Sequence, residues 1–269
     1  MFNLISSLLR KNGIEIFGMI SINDCRIIKP YLLQKNGISS GTAIVMAVPY
    51  LASSDSSGNI SRYAVSRDYH IFYSDLFTSV TDTLKKAFPE NKFVGFADHS
   101  PIDEVNAAAR CGLGIIGRHG LIITEKHSSY VFIASLFTDA ELHCEAKEPK
   151  FCENCGACIK ACPVRLDKST CLSARTQKKG ALSPDDVALM KEIGTVWGCD
   201  ICQSVCPHTK KATSSGSIYT DVEFFKSKRL THITYDTIKN MSEECFNERA
   251  YSWRGRETIL RNLKAVEEE

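Results

Sequence analysis

The stretch Phe151-Cys-Glu-Asn-Cys155-Gly-Ala-Cys158-Ile-Lys-Ala-Cys162-Pro163 decides how this chain is read. Its cysteines step by x2, x2 and x3 and end on proline. In that run three thiolates hold one [4Fe–4S] cubane and the fourth crosses to a second. A second block, Cys199-Asp-Ile-Cys202-Gln-Ser-Val-Cys206-Pro207, is a copy shortened to three cysteines. Two cubanes need eight thiolates, and the blocks supply seven. The last must come from Cys25, Cys111, Cys144, Cys171 or Cys245, and Cys171 is the one lying between the blocks. The expected sets are Cys152, Cys155, Cys158 and Cys206 on one cluster, with Cys162, Cys171, Cys199 and Cys202 on the other. Structural zinc is the alternative, since zinc also takes Cys-x2-Cys pairs. Zinc knuckles rarely chain three short steps into Cys-Pro, so iron–sulfur is preferred. The other four cysteines read as buried thiols that pack as small hydrophobes.

Outward from the blocks, the chain is long enough for one large domain or two smaller ones, with 269 residues of which 43% are hydrophobic. Its 33 Lys+Arg against 31 Asp+Glu leave a net charge of +2. That balance gives no global pull toward nucleic acid, so such a partner must be held by a local patch. The apolar runs Ala43–Ala52 and Tyr130–Phe137 are too short to span a bilayer. Residues 1–11 lack a signal-peptide pattern. Clustered thiols in such a chain fit metal ligation in a reducing cytoplasm better than secreted disulfides.

Before the first block, helical and extended segments alternate, which predicts an α/β layered domain. Phe2–Asn12 reads as a helix stopped by Gly13, Ile14–Ile20 as extended, and Pro30 as the opening of a short helix ended near Gly37. Thr42–Val48 reads as a buried strand closed by Pro49, and Leu51–Arg62 as a loop. Asp68 to Phe88 has helical spacing, and Phe93–Ala97 is extended again. Ser100-Pro101 is a good helix start, the helix running to about Arg110 and breaking at Gly112. Leu121–Thr124 and Tyr130–Asp139 suggest a hairpin around Lys126–Ser129. The composition changes at Pro149, and Ser183–Ile193 reads as a helix inserted between the blocks. The predicted division is 1–148, 149–211 for the clusters, and 212–269 as a polar linker with a short helical end.

Three N-terminal segments precede the cysteines in order: Ser61-Arg-Tyr-Ala-Val-Ser-Arg-Asp-Tyr-His70, Ala97-Asp-His-Ser-Pro101, and Gly112-Leu-Gly-Ile-Ile-Gly-Arg-His119. With the unusual second block and the end Arg254-Gly-Arg-Glu-Thr-Ile-Leu-Arg-Asn262, they resemble the epoxyqueuosine reductases of tRNA queuosine synthesis. The resemblance implies an α/β domain that binds cobalamin, base-off and without a histidine beneath it, followed by a ferredoxin-like double-cluster domain. It implies an oxidoreductase that removes an epoxide oxygen from a modified tRNA base, fed by an external one-electron donor. Asp98 falls at the family's acid position, and burial at a strand end would raise its pKa as a general acid requires. Capping a helix is the plain alternative for that carboxylate. Tyr69, His70, Gly117, Arg118 and His119 are candidate cofactor contacts. A monomer, a cytoplasmic location and no membrane are expected.

The sequence also departs from the family. Ile115 stands where relatives usually carry Trp, and Arg118 where they carry Lys. The gap from Cys162 to Cys171 is compressed, and the C-terminal helical repeats of longer relatives are missing. Arg249, Tyr251, Trp253, Arg254, Arg256 and Arg261 could supply phosphate contacts and base stacking. A helix packing Trp253 and Leu260 onto the core, with solvated arginines, is the preferred reading of that segment. A corrinoid iron–sulfur reductase with another substrate, or a two-cluster electron carrier, are the competing functions.

Overall fold

The computed structural model describes residues 1–52 and 58–267. Part of the loop expected over Leu51–Arg62, and the last two residues, therefore lie outside the described residues. The N-terminal elements are α1 (Phe2–Lys11), β1 (Phe17–Ser21), α2 (Pro30–Lys35), β2 (Thr42–Pro49), α3 (Tyr69–Ala87), β3 (Phe93–Ala97), α4 (Glu104–Arg110), β4 (Ile115–Ile116), β5 (Ile122–Ile123) and β6 (Val131–Thr138). Short helices follow: α5 (Ala157–Ala161), α6 (Leu172–Gln177), α7 (Pro184–Ile193), α8 (Ile201–Ser204), α9 (Pro207–Ser214), α10 (Glu223–Lys226), α11 (Tyr235–Asn240), α12 (Glu243–Asn247) and α13 (Arg256–Glu267).

The main sheet has the order β1-β2-β6-β3, and every pairing is antiparallel. Side chains alternate across a strand, so β2 feeds two cores. Ile44, Met46 and Val48 meet Ile5 and Leu9 of α1 and Leu76, Val80 and Leu84 of α3. Ala43, Val45 and Ala47 meet Leu33 of α2 and Ala107–Ala109 of α4 on the other face. All eight residues of β2 are buried because both faces are covered. The unbroken apolar run in the sequence has this origin.

Asp68 caps α3, its carboxylate accepting from the His70 N–H at 3.0 Å. Three expectations need correction. α4 starts at Glu104 with Asp103 as its cap, not at Ser100-Pro101. The Pro101 carbonyl instead accepts from the N–H groups of Ile28 and Lys29, and Ile102 bridges Ile27, which holds that segment extended. The expected hairpin reduces to a turn bridged by Thr124 and Ser128. β5 pairs with β4, and β6 leaves to fill the gap between β2 and β3.

Thirdly, the stretch after His208 is not a polar linker. It is helical as α9, and Ala212, Ile218, Val222 and Phe225 join the core beneath α1 and α3. Phe225 is fully buried, with ring centroids of Phe72 and Phe132 at 5.2 and 5.5 Å. A further core joins Ile60 and Ala64 to Val196 and Trp197 and to Ile238, Tyr251 and Ile259 near the C-terminus. Among the described residues no helix is long and apolar enough to cross a membrane.

Phe225→Ala is expected to destabilise the protein by about 3–5 kcal/mol, the usual cost of emptying an aromatic core position. Denaturant midpoints measure it. A change within about 0.5 kcal/mol, as for a surface substitution, would return this segment to a linker.

Candidate functional site

The cysteines sit at the ends of short helices. Cys158 lies on α5, which begins at Gly156 in the left-handed conformation (φ 79°), and Cys162 ends it. Cys171 precedes α6, Cys202 lies on α8, and Cys206 precedes α9 with Pro207 setting its first turn. Cys152, Cys155, Cys158 and Cys206 border one cavity, closed by Arg118, His119 and His208. Cys162, Cys171, Cys199 and Cys202 border another, which His119 also lines.

The Arg118 N–H donates to the Cys152 sulfur at 3.2 Å. Burial and the neighbouring Cys199, Cys162 and Cys171 push the Cys202 thiol up to about 12. Thiols crowded in this way need a cationic core between them to ionise together. Among the described residues no three His, Cys, Asp or Glu groups converge closely enough to chelate a single ion. Tetrahedral zinc would draw its sulfurs to within about 3.8 Å of one another, given Zn–S bonds of about 2.3 Å. Four thiols ringing a cavity suit a bulkier cubane, so the residues present fit iron–sulfur clusters.

The larger opening, about 720 Å³, is lined by Tyr63, Asp68, Tyr69, His70, Asp98, His99, Gln177, Ala250 and Trp253. Asp98 follows β3 with φ of 60°, a left-handed conformation that Asp tolerates better than most residues. Its carboxylate accepts from the Tyr69 hydroxyl and lies 3.7 Å from His70 Nε2. Its side chain is 62% exposed, so the burial invoked for Asp98 from sequence is absent. Nor does it cap a helix, a task that falls to Asp103.

Several groups near Asp98 are shifted from their ordinary values. Burial, then the Asp98 carboxylate, drives the Tyr69 phenol far up, which keeps it protonated. Tyr69 stacks on Phe132 with centroids 4.1 Å apart. His70 Nδ1 lies 2.9 Å from the Asp68 carboxylate, and that hydrogen bond raises the imidazole above its ordinary value against the opposing effect of burial. Burial, then Asp98, pushes Glu104 up to about 8, and its Oε1 is enclosed without a hydrogen-bond partner.

The six residues expected to contact a cofactor thus separate. Tyr69, His70 and Asp98 share the large cavity, whereas Arg118 and His119 border the cysteine cavities. Gly117 is buried against the His119 ring, where an added Cβ would stand 2.4 Å from Cε1.

The other six lining residues, Tyr63, Asp68, His99, Gln177, Ala250 and Trp253, escaped sequence reasoning in this role. Trp253 is 57% exposed and does not pack into the core. The Arg254 guanidinium carbon lies 3.8 Å from the centre of its ring. Leu260 alone of that expected pair is buried. The other arginines are braces: Arg249 donates to the Lys228 carbonyl, Arg256 pairs with Glu243, and Arg261 donates to the Lys178 carbonyl. The only readable signal was an aromatic set among arginines.

Residues 151–209 match the 4Fe-4S double cluster binding domain, and residues 37–99 match the family described as Epoxyqueuosine reductase QueG, DUF1730. The chain is 30% identical over 217 residues to an epoxyqueuosine reductase of Leadbetterella byssophila, covering 78% of this chain and 70% of that protein. Of relatives with the same name from Gloeobacter violaceus and Lactococcus garvieae, the chain spans 61% and 60%. The structure of epoxyqueuosine reductase from Streptococcus thermophilus superposes with a TM-score of 0.80 at 22% identity, over 99% of this chain and 80% of that one. A crystal structure of epoxyqueuosine reductase with an epoxyqueuosine-modified tRNA-Tyr stem loop gives 0.73 at 21% identity, over 98% and 80%. At such identities these structures speak for the fold.

Glu104 yields a pH prediction. Its folded value stands above the ordinary 4.5, at about 8. Between these values the folded chain keeps a proton that the unfolded chain releases, so stability is full below the lower value and falls as pH rises through the upper. Glu104→Gln is expected to flatten that decline and to gain stability, on the order of a few kcal/mol, at about pH 9. Denaturation midpoints across the range test it, and identical slopes in both proteins would contradict it.

Proposed function

This chain belongs to the epoxyqueuosine reductase family, and from that premise we propose that it reduces epoxyqueuosine in tRNA to queuosine. The epoxide oxygen takes up two protons and leaves as water, while two electrons restore the carbon–carbon double bond. The observation that carries this reading is the Asp98 cavity, with proton-bearing groups on one wall and the cluster region reaching it from another. α6 begins beside Cys171 and ends at Gln177, which lines the cavity. Six residues of helix measure about 9 Å.

Cys152, Cys155, Cys158 and Cys206 would hold one cubane, and Cys162, Cys171, Cys199 and Cys202 the other. Held there, the clusters would supply one-electron transfer from an external donor. The lining of the cavity would suit the flat ring and amide arms of a corrinoid, because Tyr63, Tyr69 and Trp253 stand there among polar side chains. Bound there, cobalamin would supply low-potential one-electron chemistry that protein side chains lack.

The chain's own residues handle protons and position. Tyr69 donates to Asp98 and holds its carboxylate toward the opening. His70, kept charged to higher pH by Asp68, stands close enough to restore a proton to Asp98. Asp98 would donate to the departing oxygen as general acid, the carboxylate being the group of this set best exposed to substrate. Trp253 forms part of the rim where a tRNA base would enter. In this division 1–148 bind corrinoid and substrate, 149–211 carry the clusters, and 212–269 complete the cavity. A single copy in the cytoplasm, where tRNA is modified, suffices for the reaction.

Two substitutions test this assignment. Asp98→Asn should lower turnover of epoxyqueuosine tRNA by roughly 10²–10⁴, the range of a general acid, and leave cluster spectra unchanged; near-parental turnover removes Asp98 from the chemistry. Cys171→Ala should reduce iron from about eight to about four per chain, and retention of both clusters would reassign the eighth ligand.

A further inference from the structure

Among the described residues, His119 is the one side chain that borders both cysteine cavities. It reaches that position because Gly117 has no side chain. A Cβ there would lie 2.4 Å from His119 Cε1 and 2.8 Å from Nδ1. The ring is oriented from behind, where Nδ1 accepts the Leu121 N–H at 3.2 Å. A nitrogen that accepts carries no proton, so the neutral ring bears its hydrogen on Nε2. Nε2 is buried and has no hydrogen-bond partner among the described residues. A buried donor without an acceptor is costly, and native structures rarely leave one unless a bound group completes it.

The neighbouring backbone repeats the pattern. The Arg118 N–H already points at the Cys152 sulfur, so the 117–119 turn presents donors to the cysteine region. We propose that His119 is a tuning residue for the electron wire, its Nε2–H donating to a sulfur of one of the two clusters and raising that cluster's reduction potential above its twin's. Hydrogen bonds to cluster sulfurs stabilise the more negative, reduced state, which is how they raise the potential. One N–H serves one sulfur well, so the turn distinguishes two clusters that have similar thiolate sets. The resulting step in potential gives electrons a preferred direction between them. The inference rests on the double-cluster domain, and not on what the Asp98 cavity binds.

The test uses the anaerobically reconstituted full chain, with iron content and an EPR-monitored redox titration as readouts. His119→Leu removes the donor and is expected to keep both clusters while moving one potential to a more negative value. His119→Gln places an amide N–H near the Nε2 position and should restore much of that shift. Unchanged potentials in His119→Leu, or equal displacement of both clusters, would overturn the proposal. Should the leucine variant fail to load iron, the parental protein still decides the matter. With ring-¹⁵N histidine, pulsed EPR of the reduced clusters should show a nitrogen coupling and an exchangeable proton lost in D₂O, and their absence would equally overturn it.

Discussion

Each ring of thiols draws on parts of the chain far apart in sequence, and the rest of the structure depends on that closure. Cys206 joins three cysteines from a block about fifty residues earlier, while Cys162 and Cys171 meet Cys199 and Cys202. The intervening residues must fold back for this, and they do so through α7, whose capping box at Ser183 and left-handed Gly194 mark both ends. The second block also fastens the cluster region to the N-terminal segment. Asp200 is half-buried, and its carboxylate accepts from Ser61 Oγ and from the Arg62 N–H, each at 2.7 Å. Trp197 adds a backbone bridge to Ile60 and donates from Nε1 to the Tyr63 hydroxyl at 2.8 Å. Tyr63 also lines the large cavity, so one side-chain hydrogen bond links Trp197, just before the second cysteine block, to this chamber.

That chamber is assembled from unrelated parts. α3 contributes Tyr69 and His70 from its first turn, fixed by the Asp68 cap. β3 ends in the left-handed Asp98, α6 brings Gln177, and a turn before α13 brings Trp253. An exposed carboxylate in a sparsely populated backbone conformation is a common mark of functional sites. Near Asp98 stand a phenol and an imidazole that burial, hydrogen bonding and neighbouring carboxylates push up, and Glu104, pushed up to about 8.

Local chemistry was legible in the sequence. The helix from Asp68, the buried strand Thr42–Val48 and the helix Ser183–Ile193 follow from side-chain type and spacing alone. The division of thiols into two rings can be read from counting, because the x2-x2-x3 step leaves one cysteine to cross and one to find. Features set by distant partners were not legible. Nothing near Ser100 reveals that residues 27–29 will hold Pro101 extended. Nothing in the polar stretch after His208 shows that Phe225 lies under α1 and α3. Trp253 and His119 were misplaced for a related reason. An aromatic or an imidazole looks the same in sequence whether it fills a core, rims a cavity or faces a cluster, and only the packing of Gly117 and Leu121 around His119 separates these roles.

Whether a two-cluster wire ends at a cavity that holds a corrinoid beside Asp98 is decided most directly by the EPR spectrum of cob(II)alamin added to the anaerobically reconstituted protein. The expected result is the signature of a bound, base-off corrinoid in a protein carrying about eight irons. A fully loaded protein beside which cobalamin shows only its free spectrum would contradict it.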